Sequence, residues 1–292
     1  MLTIFTCPKA FHEHSRIIQR NALRSWIDLG ADVEILLAGD DAGVERTAKE
    51  FGVIHAAGVE TNAFGTPLVS SIFELACATS TNKLLAYVNA DIVLGPEFIN
   101  QIKRISKLNT FLMTGRRWDL DVEERLDSKE TSVWNYLQPK IRKDGTLHGP
   151  EGLDYFVFTR DLAHGILPFA IGRPAWDNWF LGHAHKMRSP MIDASAVITA
   201  IHQNHSYEHV KQSVGTKWEG PEGQTNRILS PGHCFTINDC DYVLNTDRLV
   251  RARKNHHIEQ RVRRLQKTHT HLWRSLHSWK LRRLLCYLFP RL

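Results

Sequence analysis

The sequence of 292 residues has no apolar run as long as the roughly 20 residues that a membrane-spanning helix needs. Its start, Met1–Phe5, enters a strand-like run without the basic and apolar regions of a signal peptide, which predicts a cytoplasmic protein. The five cysteines are scattered and odd in number, which argues against a disulfide framework and predicts reduced thiols. A glycine-rich phosphate-binding fingerprint and a Walker sequence are both absent, which argues against the common dinucleotide and P-loop sites.

The net charge of +6 is divided unevenly along the chain. Residues 248–292, the basic tail, carry 13 lysines and arginines against one acid, whereas residues 1–247 carry 24 basic and 30 acidic residues. Apolar residues in the tail recur at a spacing of three, four or seven and predict an amphipathic helix. They are Ile258, Val262, Leu265, Leu272, Leu276 and Trp279.

We expect this helix to lie on an anionic membrane surface, peripherally and on the cytoplasmic face. Two alternatives are that its apolar stripe packs on the body of the protein, or on a second subunit of a homo-oligomer. Nucleic acid is the least favoured partner for the tail.

Strand-like and helix-like segments alternate four times in about the first ninety residues. The strands are predicted at 2–6, 33–37, 53–56 and 84–88, and the helices at 14–29, 44–51 and 69–78. Such alternation predicts a doubly wound, mostly parallel sheet. We divide the chain into a domain of residues 1–247, with a nucleotide-binding half 1–95 and an acceptor-side half 96–247, followed by the basic tail. Residues 119–150 are charged and poorly periodic, which predicts a mobile loop or an acceptor-side insertion.

The apolar run Leu84–Leu94 is interrupted by one amide, Asn89, and one carboxylate, Asp91, which are two residues apart. This run predicts a strand buried on both faces, in which an unpaired carboxylate is costly. A bound cation or ligand at the carboxyl end of the strand would compensate the Asp91 charge, because open α/β sheets place their sites there. The alternative is that both side chains bond only to the backbone of the next turn.

Two further groups carry candidate chemistry. His202 and His205 follow a predicted strand, where imidazole can ligate a metal, although lone histidines are more often surface or core residues. Asp177 lies between Trp176 and Trp179 at a predicted helix start, where partial burial would raise its pKa towards that of a general base. Helix capping is the alternative reading of Asp177.

The order of these features over residues 1–210 resembles that of the GT-A-fold glycosyltransferases. The resemblance rests on Thr6-Cys7-Pro8, Asn89-Ala90-Asp91, Leu153-Asp154-Tyr155 and Trp176-Asp177-Asn178. It implies a Rossmann-like GT-A fold with a mixed, mostly parallel sheet flanked by helices. It also implies transfer of a sugar from a nucleotide sugar to a hydroxyl group of a polysaccharide or lipid-linked glycan, assisted by Mn²⁺ or Mg²⁺.

The resemblance assigns roles to residues of this sequence. Asp91, Asn89, His205 and His202 would hold the metal, Asp177 would act as general base in an inverting enzyme, and Asp154 would contact a sugar hydroxyl. The residues expected to contact the nucleotide sugar are Thr6, Pro8, Asp40, Gly65, Thr66, Asn89, Asp91 and Arg116. The sequence departs from the family pattern in having an amide, Asn89, at the first position of the metal motif.

Three alternatives stay open. A retaining enzyme would use the same metal site without a dedicated base. A nucleotidyltransferase shares the type of sheet, although such enzymes usually have a glycine-rich basic loop after the first strand. A degenerate transferase fold without catalytic activity, docked to a membrane by the basic tail, would also explain the reduced metal motif.

Overall fold

The computed structural model describes residues 2–127, 130–205, 220–230 and 235–253. In these ranges the α-helices are α1 (Glu13–Ile27), α2 (Val44–Phe51), α3 (Val69–Thr79), α4 (Glu97–Ile105), α5 (Val133–Asp144), α6 (Trp176–Lys186) and α7 (Pro221–Leu229). The strands are β1 (Leu2–Thr6), β2 (Val33–Ala38), β3 (Ile54–Ala56), β4 (Leu84–Val88), β5 (Ile92–Leu94), β6 (Leu112–Thr114), β7 (Arg117–Leu120), β8 (Thr146–Leu147), β9 (Tyr155–Thr159), β10 (Met191–Asp193), β11 (Ala200–Gln203), β12 (Tyr242–Leu244) and β13 (Leu249–Arg251). The predicted tail helix, from Ile258 onward, lies outside the described residues.

Within the described residues, nine strands form a large sheet in the order β13-β12-β10-β6-β9-β4-β1-β2-β3. β1 is paired in parallel with β2 and β4, and β2 is paired in parallel with β3. β9 runs antiparallel to its neighbours β4 and β6, and β13 runs antiparallel to β12. The predicted fold class, a Rossmann-like sheet of mixed but mostly parallel strands flanked by helices, is confirmed.

Both faces of the large sheet are covered by helices. Leu84 of β4 points to the face where it joins a core with residues of α1 and α4, and Leu85 points to the opposite face, where it joins residues of α3 and α6. Because each β4 side chain is buried on one face or the other, the strand needs a continuous apolar sequence rather than an alternating one.

The apolar run Leu84–Leu94 is divided between two sheets rather than forming one strand. β4 ends at Val88, and β5 belongs to a second sheet in the order β5-β11-β7-β8. In this second sheet β11 is antiparallel to β5 and parallel to β7, and β7 is antiparallel to β8. The segment Asn89-Ala90-Asp91 is therefore the connection between the two sheets.

Of the two alternatives predicted for residues 119–150, the mobile loop is wrong, and the acceptor-side insertion stays a prediction. This part of the chain contains α5 and β8, and β7 already begins at Arg117. Ser132 caps α5, because its side chain accepts a hydrogen bond from the backbone N–H of Asn135. Val133, Leu137 and Ile141, spaced by four, bury one face of α5 against the second sheet. The charged residues on the other faces of α5 conceal this stripe in the sequence.

The large sheet continues past the predicted domain boundary at residue 247. β13 (Leu249–Arg251) is paired with β12, so that the first residues assigned to the basic tail form an edge strand of the sheet. Among the helices of the described residues, none has the length and apolar character needed to cross a bilayer.

Candidate active site

Three side chains meet at the carboxyl end of β4 in the arrangement of a metal site. One ligating atom of each of Asp91, His202 and His205 lies within 4.8 Å of the other two. Asp91 Oδ2 is 3.0 Å from His205 Nε2 and 3.7 Å from His202 Nε2. Atoms that each lie about 2.1 Å from a metal ion are about 3.0 Å apart at a right angle, so that this spacing fits one shared ion. The strand-end acid and both predicted histidines are thus brought together.

The pKa of the Asp91 carboxyl is well below its usual value. Burial acts to raise its pKa, but the hydrogen bond to His205 and the charges of His202, His205 and Lys9 outweigh burial and lower the pKa to about 2. The second carboxylate oxygen, Oδ1, is buried and has no hydrogen-bond partner among the described residues. An ionised oxygen left without a protein donor is what a bound cation would satisfy. The residues present therefore fit a divalent metal ion.

The second sheet holds these ligands in register. β11 lies between β5 and β7, so that His202 is paired with Ile92, the residue after Asp91, and with Asp119 of β7. Gln203 donates two hydrogen bonds to the Asp91 carbonyl oxygen, from its side-chain Nε2 at 3.0 Å and from its backbone N–H at 3.3 Å. Residues far apart in sequence are therefore fixed relative to one another by backbone pairing.

Asp119 lies beside the other ring nitrogen of His202. Its Oδ1 is 3.1 Å from His202 Nδ1 and accepts a hydrogen bond from Arg117 Nε at 2.9 Å, and its Oδ2 is 2.7 Å from His148 Nδ1. Burial acts to raise the pKa of Asp119, but the bond to His148 and the charges of Arg117 and His202 outweigh burial and lower the pKa below its usual value. Asp119 is thus an ionised carboxylate at the back of the proposed ligand set.

Asp154, predicted to contact a sugar hydroxyl, is buried directly before β9. Its side chain is 6% exposed and ion-paired with Arg117, whose Nη1 donates to Oδ1 at 2.9 Å and to Oδ2 at 2.8 Å. Asn89 also donates to Asp154, from the side-chain Nδ2 to Oδ1 at 2.7 Å and from the backbone N–H to the carbonyl oxygen at 2.9 Å. With its amide nitrogen held by Asp154, Asn89 has its amide oxygen as the atom that can ligate a metal.

Asp177 is the second residue of α6, which begins at Trp176. Its Oδ1 accepts a hydrogen bond from the backbone N–H of Asn178 at 2.9 Å, but the residue before the helix, in the N-cap position, is Ala175. Burial raises the pKa of Asp177 to about 7 and the nearby Asp154 charge adds to it, against the hydrogen bond from Asn178. Ala175 has a φ of +85°, a backbone conformation that costs a non-glycine residue about 1 kcal/mol.

The three carboxylates share the surroundings of Tyr87. Burial raises the pKa of the Tyr87 hydroxyl well above its usual value, and the charges of Asp91, Asp154 and Asp177 raise it further. The Tyr87 ring also packs edge-on against Trp176, with ring centroids 5.0 Å apart. Asp177, predicted as a general base, and Asp91, a proposed metal ligand, therefore both act on the same buried hydroxyl.

The residues predicted to contact the base and ribose lie farther along the same edge of the large sheet. Thr6 and Pro8, at the end of β1, are buried, and Thr6 Oγ1 has no hydrogen-bond partner among the described residues. Asp40 follows β2, is exposed, and accepts a hydrogen bond from the backbone N–H of Gly58 at 2.8 Å. Burial raises the pKa of the Cys7 thiol to about 12, and Asp41 and Asp40 add to this effect, so that the two strand ends are neighbours.

Two other residues predicted to contact the nucleotide sugar, Gly65 and Thr66, lie in a loop that hydrogen bonds fix in place. Gly65 is exposed with a φ of +80°, a conformation that glycine adopts easily, and Thr66 is hydrogen-bonded to Glu222 of α7. Glu222 also accepts hydrogen bonds from Asn62 Nδ2 at 2.7 Å and from Arg173 Nη2 at 2.6 Å. The loop is therefore fixed to α7 and to the segment that leads into α6.

Arg116, predicted to contact the donor, is bound to the loop before β9. It donates Nε to the His148 carbonyl oxygen at 2.6 Å, and its backbone N–H donates to Ser195 Oγ at 2.8 Å. Its neighbour Arg117 is the arginine that contacts the Asp154 and Asp119 carboxylates. These two arginines therefore have different partners although they are adjacent in sequence.

Sequence reasoning missed Asp119, His148, Gln203 and Lys9. Arg117 and Asp119 are two residues apart, the spacing that places side chains on one face of a strand, and this was the available signal. Lys9 follows Pro8 at an exposed position, and its charge acts to lower the pKa of Asp91, which identifies it as a cation near that carboxylate.

No protein-family model matches this sequence, and no curated protein matches it. Among solved structures, this chain is similar to glucosyl-3-phosphoglycerate synthase from Mycobacterium tuberculosis in complex with Mg²⁺ and UDP, with 12% identity over 79% of this chain and 78% of that chain and a TM-score of 0.47. The same enzyme in complex with Mn²⁺, UDP-glucose and phosphoglyceric acid has 12% identity over 72% and 74% of the two chains and a TM-score of 0.44. These TM-scores are too low to assign a substrate or a reaction to this chain.

Proposed function

We propose that this protein is a divalent-metal-dependent glycosyltransferase that uses a nucleotide-sugar donor. The observation that carries the proposal is the convergence of Asp91, His202 and His205 at the carboxyl end of a parallel strand, where a Rossmann-like sheet binds its ligands. The unpartnered, buried Oδ1 of Asp91 supports a cation at this position. Asp91, His202 and His205 would hold the ion, and the Asn89 amide oxygen would assist.

When bound, the ion supplies positive charge that stabilises the diphosphate as the sugar bond breaks. Lys9 would support the same step, because it lies in the loop after β1 and its positive charge already acts on Asp91. Thr6, Pro8 and Asp40 would contact the base and ribose, and Gly65 and Thr66, in the loop that is fixed to α7, would bring backbone close to the nucleotide. Arg116 stays a proposed contact to the donor.

Asp177 would accept the proton of the attacking acceptor hydroxyl, which favours an inverting reaction. A pKa of about 7 supports this role, because a general base works best when its pKa is close to the pH of the reaction. Asp154 is held by Asn89 and Arg117 and would orient a sugar hydroxyl rather than exchange a proton. A retaining enzyme would not need the raised pKa of Asp177.

Titration calorimetry with UDP- and GDP-sugars, with Mn²⁺ or with EDTA, tests the donor site. We expect heat of binding only with Mn²⁺ for the natural sequence and its loss in Asp91→Asn. Asp161→Asn is the matched control, because Asp161 is exposed beyond the opposite end of β9. Metal-independent binding, or equal binding by Asp91→Asn, contradicts the proposed metal site.

Product analysis separates the proposal from its rivals. A glycosyltransferase slowly hydrolyses its donor to the free sugar and a nucleoside diphosphate. With its acceptor it releases the nucleoside diphosphate faster and forms the glycosylated acceptor in place of the free sugar. Release of pyrophosphate from a nucleoside triphosphate and a sugar phosphate would instead identify a nucleotidyltransferase. Donor binding without any turnover in a panel of acceptors would favour the non-catalytic binding module.

We further propose that the acceptor is a polysaccharide or a lipid-linked glycan and that the basic tail attaches the enzyme to an anionic membrane. The support is the presence of 13 basic residues and only one acid in residues 248–292. Because β13 belongs to the sheet, the test is a deletion of residues 254–292 rather than of the whole tail. Co-sedimentation with anionic vesicles should be lost while donor binding is kept, and retained co-sedimentation contradicts the proposal.

A further inference from the structure

We propose that Asp119 and Asn204 are positioning residues that hold His202 in the tautomer able to bind a metal ion. The inference rests on the proposed metal site, and it concerns residues that lie behind the ligands rather than the ligands themselves. Neither Asp119 nor Asn204 belongs to the residues expected to contact metal, nucleotide or sugar.

The two ring nitrogens of His202 face different partners. Nδ1 is 3.1 Å from Asp119 Oδ1 and 3.3 Å from Asn204 Oδ1, whereas Nε2 is 3.7 Å from Asp91 Oδ2. A carboxylate oxygen and an amide oxygen are both acceptors, so that the proton of a neutral imidazole is stabilised on Nδ1. Nε2 then carries a lone pair directed at the site that Asp91 and His205 share.

Asp119 is itself fixed by two donors. Arg117 Nε donates to Oδ1 at 2.9 Å, and His148 Nδ1 lies 2.7 Å from Oδ2. The backbone pairing of β7 with β11 places Asp119 directly beside His202 in register. The carboxylate therefore cannot rotate away from the imidazole without breaking its other contacts.

Asn204 is fixed in a corresponding way. Its Nδ2 donates to Asp121 Oδ1 at 2.8 Å, which turns the amide oxygen towards His202, and its backbone N–H donates to the Leu120 carbonyl oxygen at 2.9 Å. Each acceptor at Nδ1 is thus oriented by a neighbour on β7 or just after it. Because both acceptors are held by further hydrogen bonds, their positions beside His202 Nδ1 are fixed by the surrounding structure.

The arrangement has a chemical consequence for metal binding. A carboxylate or carbonyl that accepts the second N–H of a ligating histidine fixes the ring and increases its basicity, and loss of such a partner typically weakens metal binding about 10- to 100-fold. Through Arg117 the same network reaches Asp154 and its partner Asn89. The residues that orient the metal ligand are therefore connected to the residues proposed to orient the sugar.

Nitrogen-15 NMR of the full-length, metal-free protein at pH 8 tests the tautomer directly. We expect the His202 signals, identified by their absence in His202→Gln, to show a protonated Nδ1 and an unprotonated Nε2. In the double variant Asp119→Ala/Asn204→Ala the Nε2-protonated form should become substantial. A His202 that already has its proton on Nε2 in the natural sequence overturns the inference.

Mn²⁺ affinity, measured by electron paramagnetic resonance, gives the second readout. Asp119→Ala should bind Mn²⁺ about 10- to 100-fold more weakly. Asp119→Asn should lose much less affinity, because its amide oxygen can still face both Arg117 Nε and His202 Nδ1. Asp161→Ala is the matched control and should bind as the natural sequence does. Equal affinity of Asp119→Ala and the natural sequence overturns the inference while leaving the metal site intact.

Failure of the proposed function gives a different pattern. If the natural sequence itself does not bind Mn²⁺, the proposed metal site fails, and the metal-free NMR spectrum still decides the tautomer. If Asp119→Ala does not fold, Asp121→Ala tests the same network, because it removes an exposed side chain that orients the Asn204 amide. A small shift towards the Nε2-protonated tautomer supports the inference, and an unchanged spectrum in both Asp121→Ala and Asn204→Ala overturns it.

Discussion

The side-chain amide of Asn89 donates a hydrogen bond to the carboxylate of Asp154, with 2.7 Å between Nδ2 and Oδ1. The same carboxylate is ion-paired with Arg117 and is almost completely buried. An aspartate at position 89 would place a second negative charge at hydrogen-bonding distance from Asp154. The Asn89 amide is therefore a partner for Asp154, which gives a structural reason for an amide at the first position of the proposed metal motif.

Asn89→Asp should destabilise the metal-free protein at pH 8. The substitution replaces a donor with a like charge next to a buried carboxylate, a change of roughly 1–3 kcal/mol in the free energy of unfolding. Urea unfolding in EDTA measures it, and the difference should shrink at pH 4, where one carboxyl can be protonated. Asn89→Ala is the control that removes the donor without adding charge. Equal loss in both variants at pH 8 would show that charge repulsion is not the cause.

Asp177→Asn should lower kcat by about 100- to 10,000-fold, the usual contribution of a general base. In the natural sequence kcat/KM should rise with pH and level off above about 7, because only the deprotonated Asp177 accepts a proton. The activity remaining in Asp177→Asn should lack this rise. A pH profile that is the same in both proteins contradicts the role of Asp177 as base.

The same carboxyl should also affect thermal stability. Its pKa is raised from an ordinary value of 3.8 to about 7 in the folded state, so that its stabilising contribution is complete below about pH 4 and is lost as the pH rises to about 7. Relative to Asp177→Asn, the Tm of the natural sequence should therefore fall between pH 5 and pH 8. Scanning calorimetry at the two pH values measures this difference, and a constant difference in Tm contradicts the raised pKa.

Mn²⁺ should bind more tightly than Mg²⁺ in the presence of a nucleoside diphosphate. His202 and His205 supply two imidazole nitrogens, whereas Mg²⁺ prefers a shell of oxygen ligands. Replacement of His205 by Asp should narrow the difference between the two metals by supplying an oxygen ligand. Competition between the two ions, followed by electron paramagnetic resonance of Mn²⁺, measures the preference. Tighter binding of Mg²⁺ would contradict ligation by both histidines.

Gln203→Leu should lower the free energy of unfolding by about 2–4 kcal/mol. Gln203 is fully buried, and its Nε2 donates to the carbonyl oxygens of Ile18 at 2.8 Å and Asp91 at 3.0 Å. Its Oε1 accepts from Asn21 Nδ2 at 3.0 Å, so that leucine would leave three buried polar groups short of a partner. Gln101→Leu, in the half-buried position of α4, is the control and should change stability little. Similar unfolding curves for the two variants would contradict the role given to Gln203.

Much of the large sheet follows from the sequence. β1, α2 and β4 have the predicted bounds, because short apolar runs bounded by glycine, proline or polar residues determine them locally. The position of Asp91 in an apolar run also indicates a candidate site. His205 follows a strand as predicted, whereas His202, predicted to follow the same strand, lies within β11.

The second sheet and the residues behind the ligands could not be predicted in the same way. Asp119 acquires its place only because β7 pairs with β11, which comes more than eighty residues later in the chain. The role of Asn89 depends on Arg117 and Asp154, since an amide next to a buried ion pair has no signature in a single sequence. Long-range strand pairing, rather than local periodicity, assembles this part of the site.

The three-residue connection between β4 and β5 limits how this protein can change. Hydrogen-bonded pairs lie directly before it in the large sheet and directly after it in the small one, so that an inserted or deleted residue would shift the register of one sheet. Substitutions in the connection leave both ladders intact. The fold should therefore tolerate side-chain exchanges at positions 89–91 better than any change in length, so that redesign of the proposed metal site in this segment should use side-chain exchange alone.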